Sequence, residues 1–130
     1  MKIYLATPVN GRKEKTLAAK LTAALRRVQE MKHYLEKRID GAEYHSSMDM
    51  WKDLAMMTEA QIMGECTRMV MESDLVVLDD GWECSRGCTV ERYIALQYDV
   101  PVRTLARLKL DDVLTGVCKL AETKCLIKKN

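Results

Sequence analysis

Two polar loops carry most of the side chains in this sequence that are capable of chemistry. The first runs from Thr7 to Arg12 and the second from Asp79 to Gly87. A loop that leads from a strand into a helix exposes backbone N–H groups, and such groups bind anions. Arg12 or Arg86 would add a bidentate contact to a phosphate group. The polar residues of the two loops are Thr7, Asn10, Arg12, Asp79, Asp80, Glu83, Ser85 and Arg86.

The common nucleotide-binding fingerprints are missing from these loops. The sequence has neither a Walker loop nor a complete G-x-G-x-x-G motif. Loop composition alone therefore leaves two roles open for these polar residues, phosphate binding and ordinary capping of the loop. Capping is the alternative role for Asp79 and Asp80.

Glu91, one helical turn beyond the second loop, is the sharpest candidate for a catalytic group. We expect it near the start of a helix, where the helix macrodipole would keep its carboxylate ionised. An ionised carboxylate in a dry cleft attacks an anomeric carbon or stabilises an oxocarbenium-like transition state. The alternative is an acid that merely complements the helix dipole. For Tyr4, the alternative to a functional role is a core aromatic with a satisfied hydroxyl.

Hydrophobic periodicity predicts the elements that must position these groups. A capping box at Thr58–Gln61 marks one helix start, and segment 49–57 is expected to be a short helix or an irregular, partly helical lid. The predicted strands are Lys2–Ala6, a weak one at Ala42–Ser46, Asp74–Asp79 and Val100–Leu105. The predicted helices are Lys15–Arg38, one from the capping box to about Glu72, one from roughly Cys88 to Tyr98, and a last one that opens at Asp111-Asp112. The third helix carries Val90, Ile94 and Tyr98 on one face. The last helix carries Val113, Leu114, Val117 and Leu120.

Alternation of strands and helices predicts an α/β fold made of one domain, residues 1–130. We expect a small three-layer parallel sheet of about four to five strands with helices on both faces, flavodoxin-like or Rossmann-like. Ligands bind such sheets beyond the carboxyl ends of the strands, where the strand order reverses. The two polar loops are therefore expected to meet there.

Composition narrows the class of protein. The 130 residues carry a net charge of +2, which predicts no broad nucleic-acid footprint, and the Arg26-Arg27 pair is interpreted as a solvated face. No apolar run is long enough to span a bilayer and the start is no signal peptide, so we expect a soluble cytoplasmic protein. The five cysteines are expected to be mostly reduced, buried thiols, and no zinc-binding pattern is present.

Two segments resemble a known family. Ile3–Gly11 resembles the "YLAGPMTG" opening of small bacterial and phage proteins classed as nucleoside 2-deoxyribosyltransferase-like. Ser73–Glu91 resembles their "CDAVVLLPGWExSxGAxxE" signature, in the right order and separation. The wider superfamily includes nucleoside deoxyribosyltransferases and 2'-deoxynucleoside 5'-monophosphate N-glycosidases.

The resemblance implies roles for individual residues. It places a catalytic glutamate at Glu91 and a nearby first-strand tyrosine at Tyr4. Ser85 falls where the monophosphate hydrolases carry a phosphate-binding serine, which favours a nucleotide over a nucleoside as the ligand.

Two positions depart from the family pattern. Thr7 replaces the usual first-loop glycine, and Cys66 stands where superfamily enzymes place an aspartate that handles the leaving base. The neighbouring Glu65 is one helical step, about 100°, off the expected face. Either Glu65 reaches the cleft through a local distortion, or the base-handling function is absent.

The favoured function is an N-glycosidase or deoxyribosyltransferase-like enzyme acting on a (deoxy)nucleoside 5'-monophosphate, with no metal and no organic cofactor. Glu91 would be the nucleophile and Tyr4 would orient it, while Asp79 or Asp80 would bind sugar hydroxyls or help the base leave. The alternative is a nucleotide-binding module without turnover. The phosphate would bind Ser85, Gly87 and the Asn10-Gly11-Arg12 turn, and the expected substrate-binding set also includes Thr7, Pro8, Gly81 and Trp82.

A partner of the same chain is also expected. Superfamily relatives often assemble as dimers or larger oligomers, and the stretch Met48–Met71 is rich in methionine. We predict a homo-oligomer with this stretch near its interface.

Overall fold

The structure is a computed structural model that describes residues 1–9 and 13–125, with side chains described as far as residue 116. Four strands alternate with four helices, as predicted. Three short 3₁₀ turns, Ser47–Met50, Leu54–Met56 and Trp82–Cys84, lie in the connections. The strands are β1 (Lys2–Ala6), β2 (Glu43–His45), β3 (Leu75–Leu78) and β4 (Val102–Thr104); the helices are α1 (Leu17–Glu36), α2 (Glu59–Met71), α3 (Arg86–Gln97) and α4 (Leu105–Cys125).

All strand pairs are parallel, in the order β2-β1-β3-β4. In the centre of the sheet, Tyr4 of β1 lies opposite Val76 of β3 on one side and His45 of β2 on the other. The chain leaves β1 for one edge of the sheet and later returns to β3 on the opposite side. The strand order therefore reverses between β1 and β3, where a crevice opens in flavodoxin-like folds.

Each face of the sheet is covered by two helices, which confirms the three-layer α/β fold. On one face, Ile3, Leu5 and Val77 pack against Met31 and Leu35 of α1, together with the first residue of α4. Successive side chains of a strand point to opposite faces, so the alternate residues belong to the other layer. That layer joins Tyr4, Ala6, Val76 and Leu78 to α2 and α3 through Cys66, Val70, Cys88 and Ala95.

The predicted start of α2 is confirmed in detail. The Thr58 side chain accepts a hydrogen bond from Gln61 N at 3.1 Å, and the Gln61 side chain accepts one from Thr58 N at 2.8 Å. This reciprocal pair satisfies two of the N–H groups that a helix start leaves unpaired. It fixes where α2 begins relative to the sheet, and hence the placement of Cys66 against β1.

The start of α3 lies two residues before the predicted one, and its predicted apolar face is only partly buried. The helix begins at Arg86, because Ser85 caps it by accepting a hydrogen bond from Cys88 N at 3.2 Å. Its buried residues are Cys88, Glu91 and Ala95, whereas Val90 and Tyr98 are exposed. Ile94 of the predicted face does pack against the core. Hydrophobic periodicity misses the rest of the buried face because one of its positions is a carboxyl group, Glu91.

The predicted start of the last helix is also wrong. α4 follows β4 directly at Leu105, which is buried against the sheet. Asp112 accepts a hydrogen bond from the Tyr34 hydroxyl and forms an ion pair with Arg38, so it anchors α4 to α1. Val113 and Leu114 are exposed, and the side chains of Val117 and Leu120 lie outside the described residues. Within the part of the chain that is described, no helix has the length and apolar character to cross a bilayer.

Candidate active site at the carboxyl edge of the sheet

A cavity of about 340 Å³ lies beside the switch point of the sheet. Small-molecule pockets span roughly 300–1,000 Å³, so this cavity has room for a compact ligand. Its wall combines apolar side chains of α2 with polar groups from the loop after β1 and the start of α3. The lining residues are Thr7, Val9, Ser47, Glu59, Ile62, Met63, Cys66, Ser85, Arg86, Gly87, Cys88, Val90 and Glu91.

The two polar loops meet at this edge, as the topology predicts. The Thr7 hydroxyl donates a hydrogen bond to Asp79 Oδ2 at 2.7 Å, and Asp79 N donates to Ala6 O at 2.9 Å. Gly81 has a φ of +83°, a conformation that favours glycine, and a Cβ there would lie 3.9 Å from Pro8 Cγ. The second loop therefore turns directly over the first.

Glu91 lines the cavity and contacts Tyr4, a core residue that is not among the described lining residues. Glu91 is 5% exposed and Tyr4 is fully buried. The Tyr4 hydroxyl donates a hydrogen bond to Glu91 Oε2. Burial raises the pKa of Glu91 to about 7, even though hydrogen bonds from Tyr4 and Cys66 favour the carboxylate. Glu91 therefore titrates near neutral pH.

The expectation that the helix macrodipole keeps Glu91 ionised is wrong. Because α3 begins at Arg86, Glu91 lies in the second turn, where the dipole contributes little. Loss of water around the carboxylate dominates instead. Burial and the charge of Glu91 also raise the pKa of Tyr4 well above its usual value, so the phenol stays protonated and remains a donor.

Asp79, predicted as a catalytic residue, is not among the described residues that line the cavity. It is 1% exposed and forms an ion pair with Arg27 of α1, whose Nε lies 3.1 Å from Oδ2. Burial alone would raise the pKa of Asp79, but hydrogen bonds from Arg27 and Thr7 outweigh it and lower the pKa. Asp79 is thus a fixed anion that ties α1 and the first loop to β3.

A scan against protein-family models matches residues 1–104 to DUF4406, described as a domain of unknown function. The matched region ends with β4 and contains the whole sheet, Tyr4, Cys66 and Glu91. The chain belongs to the DUF4406 family. Comparisons with curated proteins and with solved structures found no significant match.

In this DUF4406 domain, the start of α3 forms the polar side of the cavity. Ser85 is buried and Gly87 lies beside it; a Cβ at Gly87 would come within 4.0 Å of Ser85 Oγ. Arg86 pairs with Glu59 at 3.0 Å across the mouth, and both side chains are largely exposed. The hydroxyl and the guanidinium predicted to bind phosphate therefore line the same cavity as Glu91.

Other predicted binding residues lie outside the described cavity lining. Asp80 is exposed, and its backbone N–H donates to Asp79 Oδ1 at 2.7 Å. Trp82 is half-buried, with the Arg92 guanidinium 5.3 Å from its ring centroid. Pro8 and Gly81 form the contact between the loops, and Asn10, Gly11 and Arg12 lie outside the described residues.

The two neighbouring α2 residues Glu65 and Cys66 line different cavities. Glu65 forms an ion pair with Arg68 at 2.8 Å and lines a separate cavity of about 210 Å³ with Lys2 and Ser73, at the start of β1 and just before β3. Cys66 instead lies in the wall beside Glu91. Glu65 is not among the residues that line the cavity of Glu91, and the α2 residue beside Glu91 in that wall is the thiol Cys66.

Sequence reasoning missed one residue of this DUF4406 domain outright. Arg27 was interpreted as part of a solvated charge pair, yet it is half-buried and holds Asp79. The apolar wall follows from the sequence more directly, because helical spacing puts Ile62, Met63 and Cys66 on one face of α2, and all three line the cavity. Among the residues whose side chains are described, no group of three or more metal-ligating side chains is arranged to hold a metal ion.

Proposed function

We propose that this DUF4406 domain cleaves the N-glycosidic bond of a (deoxy)nucleoside 5'-monophosphate, with Glu91 as the nucleophile. The observation that carries the proposal is the buried Glu91 carboxyl group in the wall of the cavity, which accepts a hydrogen bond from Tyr4 of the adjoining core. A carboxyl group is rarely buried without a specific role, and one with its pKa raised in a cleft is typical of an active site. The resemblance to the nucleoside 2-deoxyribosyltransferase-like family supports the same reaction.

The proposed reaction has two steps. A carboxylate oxygen of Glu91 attacks the anomeric carbon while the C–N bond breaks, and the base leaves with that electron pair and takes a proton from solvent. The resulting glycosyl ester is then attacked by water, which releases the sugar phosphate, or by a second base, which completes a transfer. Tyr4 holds the Glu91 carboxylate in place for the first step and receives it again when the ester is cleaved.

The wall chemistry supports a nucleotide as the substrate. Ile62 and Met63 offer an apolar surface for a base, and Ser85 and Arg86 offer polar groups for a phosphate. The base would thus lie on the apolar wall and the phosphate on the polar wall, with the sugar between them beside Glu91. This arrangement favours a monophosphate over a nucleoside.

The alternative proposal is a nucleotide-binding module without turnover. Cys66 supports it, because this thiol stands where the resembling enzymes carry the aspartate that handles the leaving base. Burial raises the pKa of Cys66 to about 12, so it is a poor acid at neutral pH.

Incubation with a panel of deoxynucleoside 5'-monophosphates and the matching nucleosides tests the proposal. We expect chromatography to show free base from at least one monophosphate and less from its nucleoside. Thermal shift with the same panel separates the alternative: stabilisation without base release supports a binding module. If the panel gives no base release and no stabilisation, both proposals are contradicted.

A further inference from the structure

An ion pair between two helix starts lies at the mouth of the cavity that Glu91 lines. Glu59 is the first residue of α2 and Arg86 is the first residue of α3, and both line the cavity. Glu59 Oε1 lies 3.0 Å from Arg86 Nη2, and the two side chains are 69% and 77% exposed. Glu91, the remaining carboxyl group of the described lining, is 5% exposed. The entrance therefore holds one negative and one positive charge side by side, in front of a buried acid.

Arg86 occupies a position that disfavours a cation. It directly follows the Ser85 cap, where the dipole of α3 places partial positive charge. Among the lining residues that the structure describes, it is the one lysine or arginine. A residue that conflicts with its local structure is typical of a functional site. The ligand that suits both a guanidinium and a helix start is an anion.

Glu59 holds the group that such an anion would use. A guanidinium binds a carboxylate and a phosphate through the same N–H groups. An exposed ion pair is weak, so the Glu59–Arg86 pair costs little to break. A phosphate monoester is the stronger partner, because it carries about 1.5 to 2 negative charges near neutral pH and offers three acceptor oxygens.

We propose that Glu59 is a specificity-determining residue, which competes with the phosphate group of the ligand for Arg86 and so sets how strongly the cavity prefers a monophosphate to a nucleoside. A nucleoside leaves the Glu59–Arg86 pair intact. A monophosphate displaces Glu59 and takes the guanidinium in exchange. The preference for a monophosphate is therefore smaller than an unpaired arginine would give, and neutralising Glu59 should increase it.

The test measures binding of the monophosphates and nucleosides of the activity panel by titration calorimetry. All proteins carry Glu91→Gln, so that the proposed reaction does not disturb the titration. Adding Glu59→Gln is expected to lower the Kd of a monophosphate about two- to fivefold, the size of an exposed ion pair, and to leave the Kd of its nucleoside unchanged. Adding Arg86→Gln should raise the Kd of the monophosphate at least about tenfold.

Combining Glu59→Gln with Arg86→Gln separates competition from simple repulsion. If Glu59 acts by occupying Arg86, most of the gain from Glu59→Gln should be lost once Arg86 is replaced. A gain that is as large without Arg86 as with it would overturn the proposal, because the Glu59 charge would then repel the phosphate directly. An unchanged ratio of the monophosphate and nucleoside Kd values in Glu59→Gln would also overturn it, since a merely structural pair affects stability and not ligand preference.

Glu65→Gln is the matched control for the loss of one negative charge from α2. It breaks a comparable exposed pair, Glu65–Arg68 at 2.8 Å, and Glu65 is not among the described lining residues of this cavity. Its Kd values for both kinds of ligand should equal those of the Glu91→Gln parent. A gain equal to that of Glu59→Gln would mean that net charge, rather than the pair at the mouth, sets the preference.

This inference takes its ligand from the proposed function, yet the two fail separately. Inorganic phosphate is a probe that needs no nucleotide, and the Arg86 Nε–H signal in NMR spectra, assigned by its loss in Arg86→Gln, reports its binding. The signal should shift on titration with phosphate, at lower concentrations in Glu59→Gln than in the wild type. That result without base release by the wild type would leave the inference standing and the proposed function wrong. If neither phosphate nor any monophosphate binds the wild type or Glu59→Gln, the inference is overturned.

Discussion

Glu91 lies where ionisation of a carboxyl group is costly, and its properties follow from that. Burial raises its pKa to about 7, so roughly half of the molecules carry the ionised carboxylate at that pH. We expect the rate of base release to rise about tenfold per pH unit below about pH 7 and to level off above it. A pH–rate profile that is flat from about pH 5 to 8, or that falls with pH, would contradict the role of Glu91 as an ionised nucleophile.

The same carboxyl group should lower stability at high pH. Its pKa is about 7 in the folded chain and near 4.5 in the unfolded chain, so only the folded chain holds the proton between these values. Stability therefore falls as pH rises from about 4.5 to about 7, by about 3 kcal/mol in total. Glu91→Gln should remove this loss and be the more stable protein at about pH 8, by urea unfolding.

Glu65→Gln provides the control for that measurement. Glu65 neighbours Cys66 in sequence but is half-exposed and pairs with Arg68 outside the cavity that Glu91 lines. We expect it to unfold like the wild type at both ends of the pH range. An equal gain in the free energy of unfolding for Glu65→Gln and Glu91→Gln would show that the effect comes from the net charge rather than from the buried site.

Removal of the Tyr4 hydroxyl should change the pH dependence of the rate more than the maximal rate at high pH. Its hydroxyl favours the ionised form of Glu91, so Tyr4→Phe is expected to raise the midpoint of the pH–rate profile by roughly one unit. At a pH well above that midpoint, much of the lost rate should return. A uniform loss at every pH would indicate that the phenol acts on the substrate instead.

At the scale of secondary-structure elements, the Arg27–Asp79 ion pair fixes α1 against the carboxyl end of β3. Arg27→Met leaves a buried carboxylate without its counter-charge, and we expect a loss of roughly 3 kcal/mol, the lower end for a broken buried pair because Arg27 is partly exposed. Arg26→Met, one residue earlier on an exposed position, is the control and should change stability by less than about 0.5 kcal/mol. Equal losses of stability in Arg27→Met and Arg26→Met would contradict the stabilising role of the Arg27–Asp79 pair.

The pair also has a predicted pH dependence. The pKa of Asp79 is lowered in the folded chain, so the pair stabilises the protein above the ordinary pKa of an aspartate. That stability is lost as the pH falls below about 3.9 through the folded pKa. Acid unfolding of Arg27→Met should lack this step, since its Asp79 has no guanidinium partner.

The sequence predicts the elements of this fold far better than the faces they bury. Continuous apolar runs identify β1 and β3, and the capping box places the start of α2 correctly. The inward face of α3 was only partly predicted because a carboxyl group occupies one of its buried positions. The Arg27–Asp79 pair was missed because two charges far apart in sequence show no pattern until the fold joins them.

At the scale of the whole molecule, we propose that the chain assembles with copies of itself. The methionine-rich stretch divides between the core and the surface: Met48 and Met69 are buried, whereas Met56 is 87% exposed and Trp51 is exposed nearby. Exposed apolar side chains of this kind are common at interfaces. Light scattering at high micromolar concentration should show a mass above one chain, and Met56→Lys should reduce it. A monomer under these conditions would contradict the proposal.

Base release by the wild type, Glu91→Gln and Glu65→Gln from one deoxynucleoside 5'-monophosphate tests the central claim most directly. Chromatography at about pH 8, where Glu91 is ionised, measures the free base formed with time. The account predicts release by the wild type and by Glu65→Gln at similar rates, and a loss of at least about 10³-fold in Glu91→Gln. Release by Glu91→Gln at the wild-type rate would contradict it.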